Sequence, residues 1–237
     1  MVGLILTLVA CSSSLKTPVR SPDSLHSHLG SSTVALVMTR EDGDVRPYCT
    51  GVWVSPDEIL TAKHCIEREV EGVDVDPLGS KVYYVIEKEV HESGEDPAAI
   101  HLGHVKAIDV DHDLAIVVAK AAGIPAHEYV TFASEMPALG EDIYVVGHPR
   151  GLYWSYVKGQ VSAYRYDSSD VGPVVQVDAT VWFGNSGGGV FDGSGKLVGI
   201  CSRLTRVPHM NYFIHLDSVK KFYHELHEPV RDLSKKE

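Results

Sequence analysis

The sequence predicts an all-β protein built in two units and closed by a C-terminal helix. Three observations carry this. Short apolar runs recur at close intervals from Ser32 onward. A weakly patterned stretch around 121–138, punctuated by Gly123, Pro125 and Pro137, interrupts them. After residue 216 the apolar spacing changes to a helical one. Many short strands at such intervals point to a barrel or a sandwich.

Taken in order, the chain begins with an apolar segment, Gly3–Ala10, that ends in Leu8-Val9-Ala10-Cys11 and is followed by three serines. This ending resembles the lipobox of bacterial lipoproteins, in which the cysteine is acylated and becomes the new N-terminus. Residues 1–10 carry no Lys or Arg, which departs from the charged opening of a signal peptide. The expectation is a lipoprotein signal segment over 1–11, membrane attachment through a lipid on Cys11, and an exported protein of the periplasm or cell envelope. Residues 12–30, rich in Ser, Pro and His without an apolar period, read as a flexible tether.

A first β unit spans 31–122, with strands expected at 33–38, 48–54, 58–62, 81–89, 100–110 and 114–119. A linker follows at 123–138. A second unit covers 139–227, with strands at 142–146, 157–166, 174–181, 189–191, 197–201 and 212–215. Val219, Phe222, Tyr223 and Leu226 then recur at helical spacing, with Asp217 as the expected N-cap. The tail 228–237 is charged.

The net charge of −11, without any basic stretch, argues against a nucleic-acid partner. Of four cysteines, Cys49 and Cys65 flank a predicted hairpin whose ends come together, so a disulfide between them is expected. The pairs His101/His104 and His224/His227 lack the His-Glu-x-x-His pattern, and no metal or other cofactor is expected.

Chemistry concentrates in three places. Phe183-Gly184-Asn185-Ser186-Gly187-Gly188-Gly189 sets a hydroxyl on a glycine-rich turn, where the N–H groups of Gly184 and Ser186 can converge on one oxygen. Thr61-Ala62-Lys63-His64-Cys65 puts a histidine at a strand end. Asp109, Asp111 and Asp113 precede the apolar run from Leu114, and Asp113 borders it directly, so it is expected to lie deepest.

His64, Asp113 and Ser186, in that chain order and each at a strand end, resemble the chymotrypsin-like serine proteases over roughly residues 31–227. The resemblance implies two six-stranded antiparallel β-barrels, a polypeptide substrate and a His64–Asp113–Ser186 triad with an oxyanion hole at Gly184 and Ser186. Val145-Val146-Gly147-His148-Pro149-Arg150-Gly151-Leu152 and Gly159-Gln160-Val161-Ser162 are more closely similar to bacterial high-temperature-requirement proteases. The Cys49–Cys65 pair departs from those relatives, and only about twenty residues follow His215, too few for a PDZ domain in this sequence.

Asn185 stands where zymogens of the clan carry an activating aspartate, so activity without N-terminal cleavage is implied. By the same resemblance the specificity pocket has Thr180 at its base and Val181, Cys201, Ser202 and Arg203 on its walls. With no carboxylate at the base, small or aliphatic side chains are expected, while Arg203 and Arg206 leave acidic substrates open. Two rival readings are a protease-shaped binding module with an unused triad and an esterase-like hydrolase; the strand-serine-helix elbow of the latter is absent.

Overall fold

The computed structural model describes residues 21–41, 43–70, 73–75, 78–86, 99–119, 127–166, 172–203 and 210–228. The first closed barrel comprises β1 (Thr33–Thr39), β2 (Val45–Trp53), β3 (Glu58–Ala62), β6 (Lys81–Ile86), β7 (His101–Asp109) and β8 (Leu114–Ala119), ordered β1-β2-β3-β8-β7-β6. A small antiparallel ribbon, β4 (Arg68–Val70) with β5 (Val73–Val75), follows the β3 turn. The second barrel is ordered β10-β11-β14-β13-β12-β9. Its strands are β9 (Asp142–Gly147), β10 (Ser155–Arg165), β11 (Val174–Val177), β12 (Gly189–Phe191), β13 (Leu197–Arg203) and β14 (Asn211–His215). All the pairings within both barrels are antiparallel.

Strand alternation explains why β3 and β8 read as continuous apolar runs. Ile59, Ala115 and Val117 fill the first barrel, whereas their neighbours Leu60, Leu114 and Ile116 point the other way into a seam between the barrels. Val146, Phe191, Leu197 and Ile214 meet them there from the second barrel, whose own core holds Ile143, Val145, Val175, Val198 and Phe213. Both faces of these strands are therefore dry, and the seam is a third apolar core. Asp113 immediately precedes Leu114 of this seam.

The flexible tether expected over 12–30 is corrected here. Part of the supposed tether is a helix, α1 (Pro22–Ser31), started by Ser21, whose Oγ accepts the Ser24 N–H at 3.4 Å, with Pro22 at its first position. Leu25 and Leu29, one turn apart, are 2% and 0% exposed and sit in the seam. Trp154 Nε1 and Tyr156 Oη donate to the helix carbonyls of Gly30 and His26 at 3.3 and 3.2 Å, so α1 belongs to the folded body. The described end of the linker is equally fixed: Val130 N–H bonds the Trp53 carbonyl at 2.9 Å, and Phe132 bridges Leu197 in parallel.

The C-terminal helix α2 (Leu216–His227) is capped by His215, not Asp217: the His215 Nδ1 accepts the Asp217 N–H at 3.2 Å. Val219 and Phe222 insert into the seam as the spacing requires. The strand expected over 174–181 stops at Val177, which frees 178–188 to form the loop that carries Ser186. Cys11 and the tail beyond Glu228 lie outside the described residues.

Candidate active site

Antiparallel register brings His64 to Asp113. Strand β3 pairs with β8 so that Ala62 faces Leu114; one step further, the Lys63 N–H bonds the Asp113 carbonyl at 3.0 Å. A short 3-10 turn over Lys63–Cys65 then lifts His64 over the aspartate. The Cys49–Cys65 disulfide, Cα–Cα 6.0 Å, ties that turn to β2. Asp113 adopts φ +57°, a left-handed conformation that Asp tolerates better than most residues.

The Asp113 carboxylate accepts three donors. His64 N–H reaches Oδ1 at 3.0 Å, His64 Nδ1 reaches Oδ2 at 2.8 Å, and Ser202 Oγ reaches Oδ2 at 2.6 Å. Burial alone would raise its pKa, but these bonds from His64 and Ser202 outweigh it and hold the carboxyl below its usual 3.8. An ionised acceptor at Nδ1 fixes the proton there. Nε2 is left as a lone-pair base.

Asp113 is the deepest of the three, as expected, its side chain 14% exposed against 20% for Asp109, with Asp111 exposed. Partners separate Asp113 from Asp109 more sharply than this small difference in depth. Asp109 spends its carboxylate on the N–H groups of Asp111 and His112, each at 3.0 Å, and on His112 Nδ1 at 2.8 Å.

The Ser186 loop is held by first-barrel backbone. The Thr50 N–H donates to the Ser186 carbonyl at 2.8 Å and Thr50 Oγ1 to the Gly184 carbonyl at 2.7 Å. Gly187, at φ +80°, lies so close that a Cβ there would stand 2.1 Å from Thr61 Oγ1. On the other side, Arg150 N–H holds the Phe183 carbonyl at 2.7 Å and Gly188 N–H the Asn185 carbonyl at 3.0 Å. In a trans peptide C=O and N–H point opposite ways. These two bonds therefore aim the N–H groups of Gly184 and Ser186 away from their anchors, and neither donates to any group among the described residues. Ser186 is half-buried. Its carbonyl lies 3.5 Å from the sulfur of Cys65, the residue after His64. Its hydroxyl makes no hydrogen bond among the described residues; such bonds are often long before substrate arrives.

The trypsin-like peptidase domain family matches residues 49–200, which include Thr50, His64, Asp113 and Ser186. The chain belongs to that family.

Among curated proteins, this trypsin-like peptidase domain is similar to the HtrA-like serine proteases of Staphylococcus aureus. It is 31% identical to that of strain MRSA252 over 140 residues, covering 53% of this chain and 18% of the relative. The chain thus spans less than a fifth of the length of these relatives. Solved structures with the same fold include the active form of the Rv3671c protease from M. tuberculosis, at TM-score 0.65 and 18% identity, covering 96% of this chain and 97% of that one. The serine endoprotease from Yersinia pestis aligns at TM-score 0.63 and 20% identity, over 91% and 69%.

Within the trypsin-like domain the residues expected around the pocket separate. Thr180 is exposed, whereas Val181 and Cys201 are buried with the second-barrel core. Burial pushes the Cys201 thiol up to about 12. Ser202, expected on the wall, turns its hydroxyl to Asp113 instead. The side chain of Arg203, and all of Arg206, lie outside the described residues. Trp182 and Phe183, 50% and 76% exposed, present an apolar surface on the loop that carries Ser186. Cys49, His64 and Cys65 form the one close set of metal-type donors among the described residues, but both sulfurs are spent in the disulfide. Sequence reasoning missed Thr50 and His148, which act on the loop through bonds spanning about a hundred residues and have no local pattern.

Proposed function

We propose that this domain is a serine endopeptidase working through Ser186, His64 and Asp113. The observation that carries it is the three-donor carboxylate of Asp113 fixing the His64 tautomer, next to a loop whose Gly184 and Ser186 N–H groups are left over for a ligand oxygen. Ser186 Oγ attacks the peptide carbonyl carbon as its proton passes to His64 Nε2. The new oxyanion is held by the two N–H groups, and Asp113 stabilises the imidazolium. Collapse breaks the C–N bond, and His64 returns the proton to the departing amine. Water, deprotonated by the same imidazole, hydrolyses the acyl ester and regenerates Ser186.

The substrate takes its direction from this relay. The leaving amine lies against His64, so the chain beyond it runs over the Cys49–Cys65 bridge. A cavity of about 560 Å³ opens there, lined by Met38, Tyr48, Ile66 and Tyr83 and by the charged Glu67 and Lys81. Met38 and Tyr83 remain 48% and 45% exposed, so the cavity suits a side chain after the scissile bond with an apolar stem and room for a polar end. On the acyl side, a pocket edged by Thr180 and Val181 without a carboxylate suits small or aliphatic residues. Export, with a lipid on Cys11, completes the proposal: mass spectrometry of protein from native membranes yields an acylated Cys11 peptide, and an unmodified Met1 there would remove that part.

Hydrolysis of casein and of internally quenched peptides that falls to background in both Ser186→Ala and His64→Ala supports the peptidase. Retained hydrolysis in either variant contradicts it, and activity confined to short acyl esters moves the assignment to an esterase.

A further inference from the structure

His148 is fully buried on the turn after β9 and touches no reacting group, yet two of its contacts, and a third made two residues on, converge on Gly184. Its Nδ1 lies 2.9 Å from Thr50 Oγ1, the hydroxyl that bonds the Gly184 carbonyl at 2.7 Å. Its own carbonyl packs against Gly184, where a Cβ would approach to 2.1 Å, a spacing that only glycine at φ +103° allows. Two residues on, the Arg150 N–H holds the Phe183 carbonyl.

Proton counting sets the direction of the relay. A hydroxyl has one hydrogen, and the Gly184 carbonyl can only accept, so the Thr50 hydrogen belongs to Gly184. Thr50 Oγ1 must then accept from His148, whose proton is on Nδ1. The opposite assignment would leave both the Gly184 carbonyl and an Nε2–H unpaired; this one leaves only the bare Nε2, which has no partner. Burial lowers the imidazole pKa to about 3, so the ring stays neutral in that tautomer. Trp154, edge-on at 4.7 Å and 88°, walls the ring in place.

We propose that His148 is a positioning residue for the oxyanion hole, acting through Thr50: its Nδ1–H locks the Thr50 hydroxyl onto the Gly184 carbonyl, which fixes the Gly184–Asn185 peptide between the two oxyanion donors, Gly184 and Ser186. This rests on the reading of Gly184 and Ser186 as the oxyanion donors. With the Gly184 carbonyl clamped through Thr50 and the Phe183 carbonyl clamped by Arg150, the peptides on both sides of the Gly184 Cα are pinned. The Gly184–Asn185 peptide is held at its other end by the Asn185 N–H on the Trp182 carbonyl at 3.0 Å, so losing the Thr50 bond loosens this peptide, and with it the spacing of the two N–H groups, without freeing it.

The test compares wild type with His148→Leu, His148→Asn, Thr50→Val, Thr50→Ser and Ser186→Ala in the full chain. An asparagine amide offers an N–H near the Nδ1 position, and serine keeps the hydroxyl. The readouts are kcat and KM on one peptide substrate, inhibition by a matching peptide aldehyde, and thermal midpoint. The aldehyde forms a tetrahedral adduct with Ser186 and reports on oxyanion binding. Expected for His148→Leu and Thr50→Val is a fall of about tenfold in kcat, the worth of one neutral hydrogen bond and less than the loss of a donor outright. KM should stay within about twofold, and aldehyde affinity should fall by the same factor as kcat. Asparagine and serine should recover to within about threefold.

The proposal is overturned if His148→Leu keeps wild-type kcat, if aldehyde affinity stays fixed while kcat falls, or if asparagine fails to rescue. Should the leucine variant not fold, Thr50→Val against Thr50→Ser decides by the same criteria. Turnover surviving in Ser186→Ala would instead sink the reading of the site on which the proposal stands.

Discussion

Replacing Asp113 with Asn tests the proton relay with almost no change in volume. The carboxylate accepts from the His64 N–H, His64 Nδ1 and Ser202 Oγ. An Asn amide has one oxygen. If that oxygen keeps the backbone N–H, the NH2 faces Nδ1 and can pair only with a bare Nδ1. The imidazole proton then moves to Nε2, the atom that must take the Ser186 proton, and the base is disabled while the geometry survives. The corresponding change in the well-studied triad lowers kcat about 10⁴-fold, or about 5.5 kcal/mol of transition-state stabilisation. The assay is kcat/KM on a quenched peptide, with Asp109→Asn as control. Asp109 serves His112 and its own turn, so its loss should cost less than about threefold. Asp113→Asn retaining activity within tenfold of wild type, or Asp109→Asn losing as much, would refute the reasoning.

Further expectations concern stability, redox chemistry and substrate. Glu58, 5% exposed on β3, receives Lys106 Nζ at 2.7 Å, His227 Nε2 at 3.1 Å and Tyr223 Oη at 3.2 Å, which ties α2 to the first barrel. Burial would raise its pKa, but the Lys106 and His227 bonds reverse that and hold it below 4.5. A depressed carboxylate stabilises the fold above its unfolded value and loses that contribution as pH falls. Glu58→Gln should therefore destabilise by about 2 kcal/mol near neutrality, a drop of roughly 5 °C in Tm, and the gap to wild type should narrow below pH 4.5. A gap independent of pH would count against the ion-pair account. Cys201, its thiol held at about 12, should resist alkylation until urea unfolds the domain, as read by intact mass. Opening the Cys49–Cys65 loop of sequence separation 16 by a double Ser variant should cost about 3 kcal/mol in denaturant midpoint analysis; no loss would contradict a stabilising bridge. On the leaving-group side, Tyr83→Glu should reduce acyl transfer to leucinamide several-fold relative to glycinamide, with acylation rate unchanged; equal transfer would place that side chain elsewhere.

The candidate catalytic residues were legible because each sits in a local pattern: a hydroxyl between glycines, a histidine after an apolar strand, an aspartate before one. The approach of His64 to Asp113 depends on one register, Ala62 opposite Leu114, which two runs of buried alternation specify but do not display. Depth favours Asp113 over Asp109 only slightly, and the partners each carboxylate has taken, which the sequence does not display, separate them further. Helix α1 escaped notice because only Leu25 and Leu29 mark its apolar face; a ten-residue helix is marginal alone and draws its stability from the seam. His215 displaced Asp217 as cap because the strand runs straight into the helix. Thr50, His148 and Ser202 were invisible in their roles for a different reason. Each acts through bonds to residues about ninety or more positions away, and no periodicity encodes that.

The most direct test of the central claim is to locate the covalent adduct left by a fluorophosphonate on the native chain. Digestion and tandem mass spectrometry should find one phosphonate, on Ser186, absent when His64 is Ala, with Ser202 unmodified because its hydroxyl is buried and committed to Asp113. A label on any other serine, or equal labelling of the His64→Ala variant, would contradict a nucleophile activated by that imidazole.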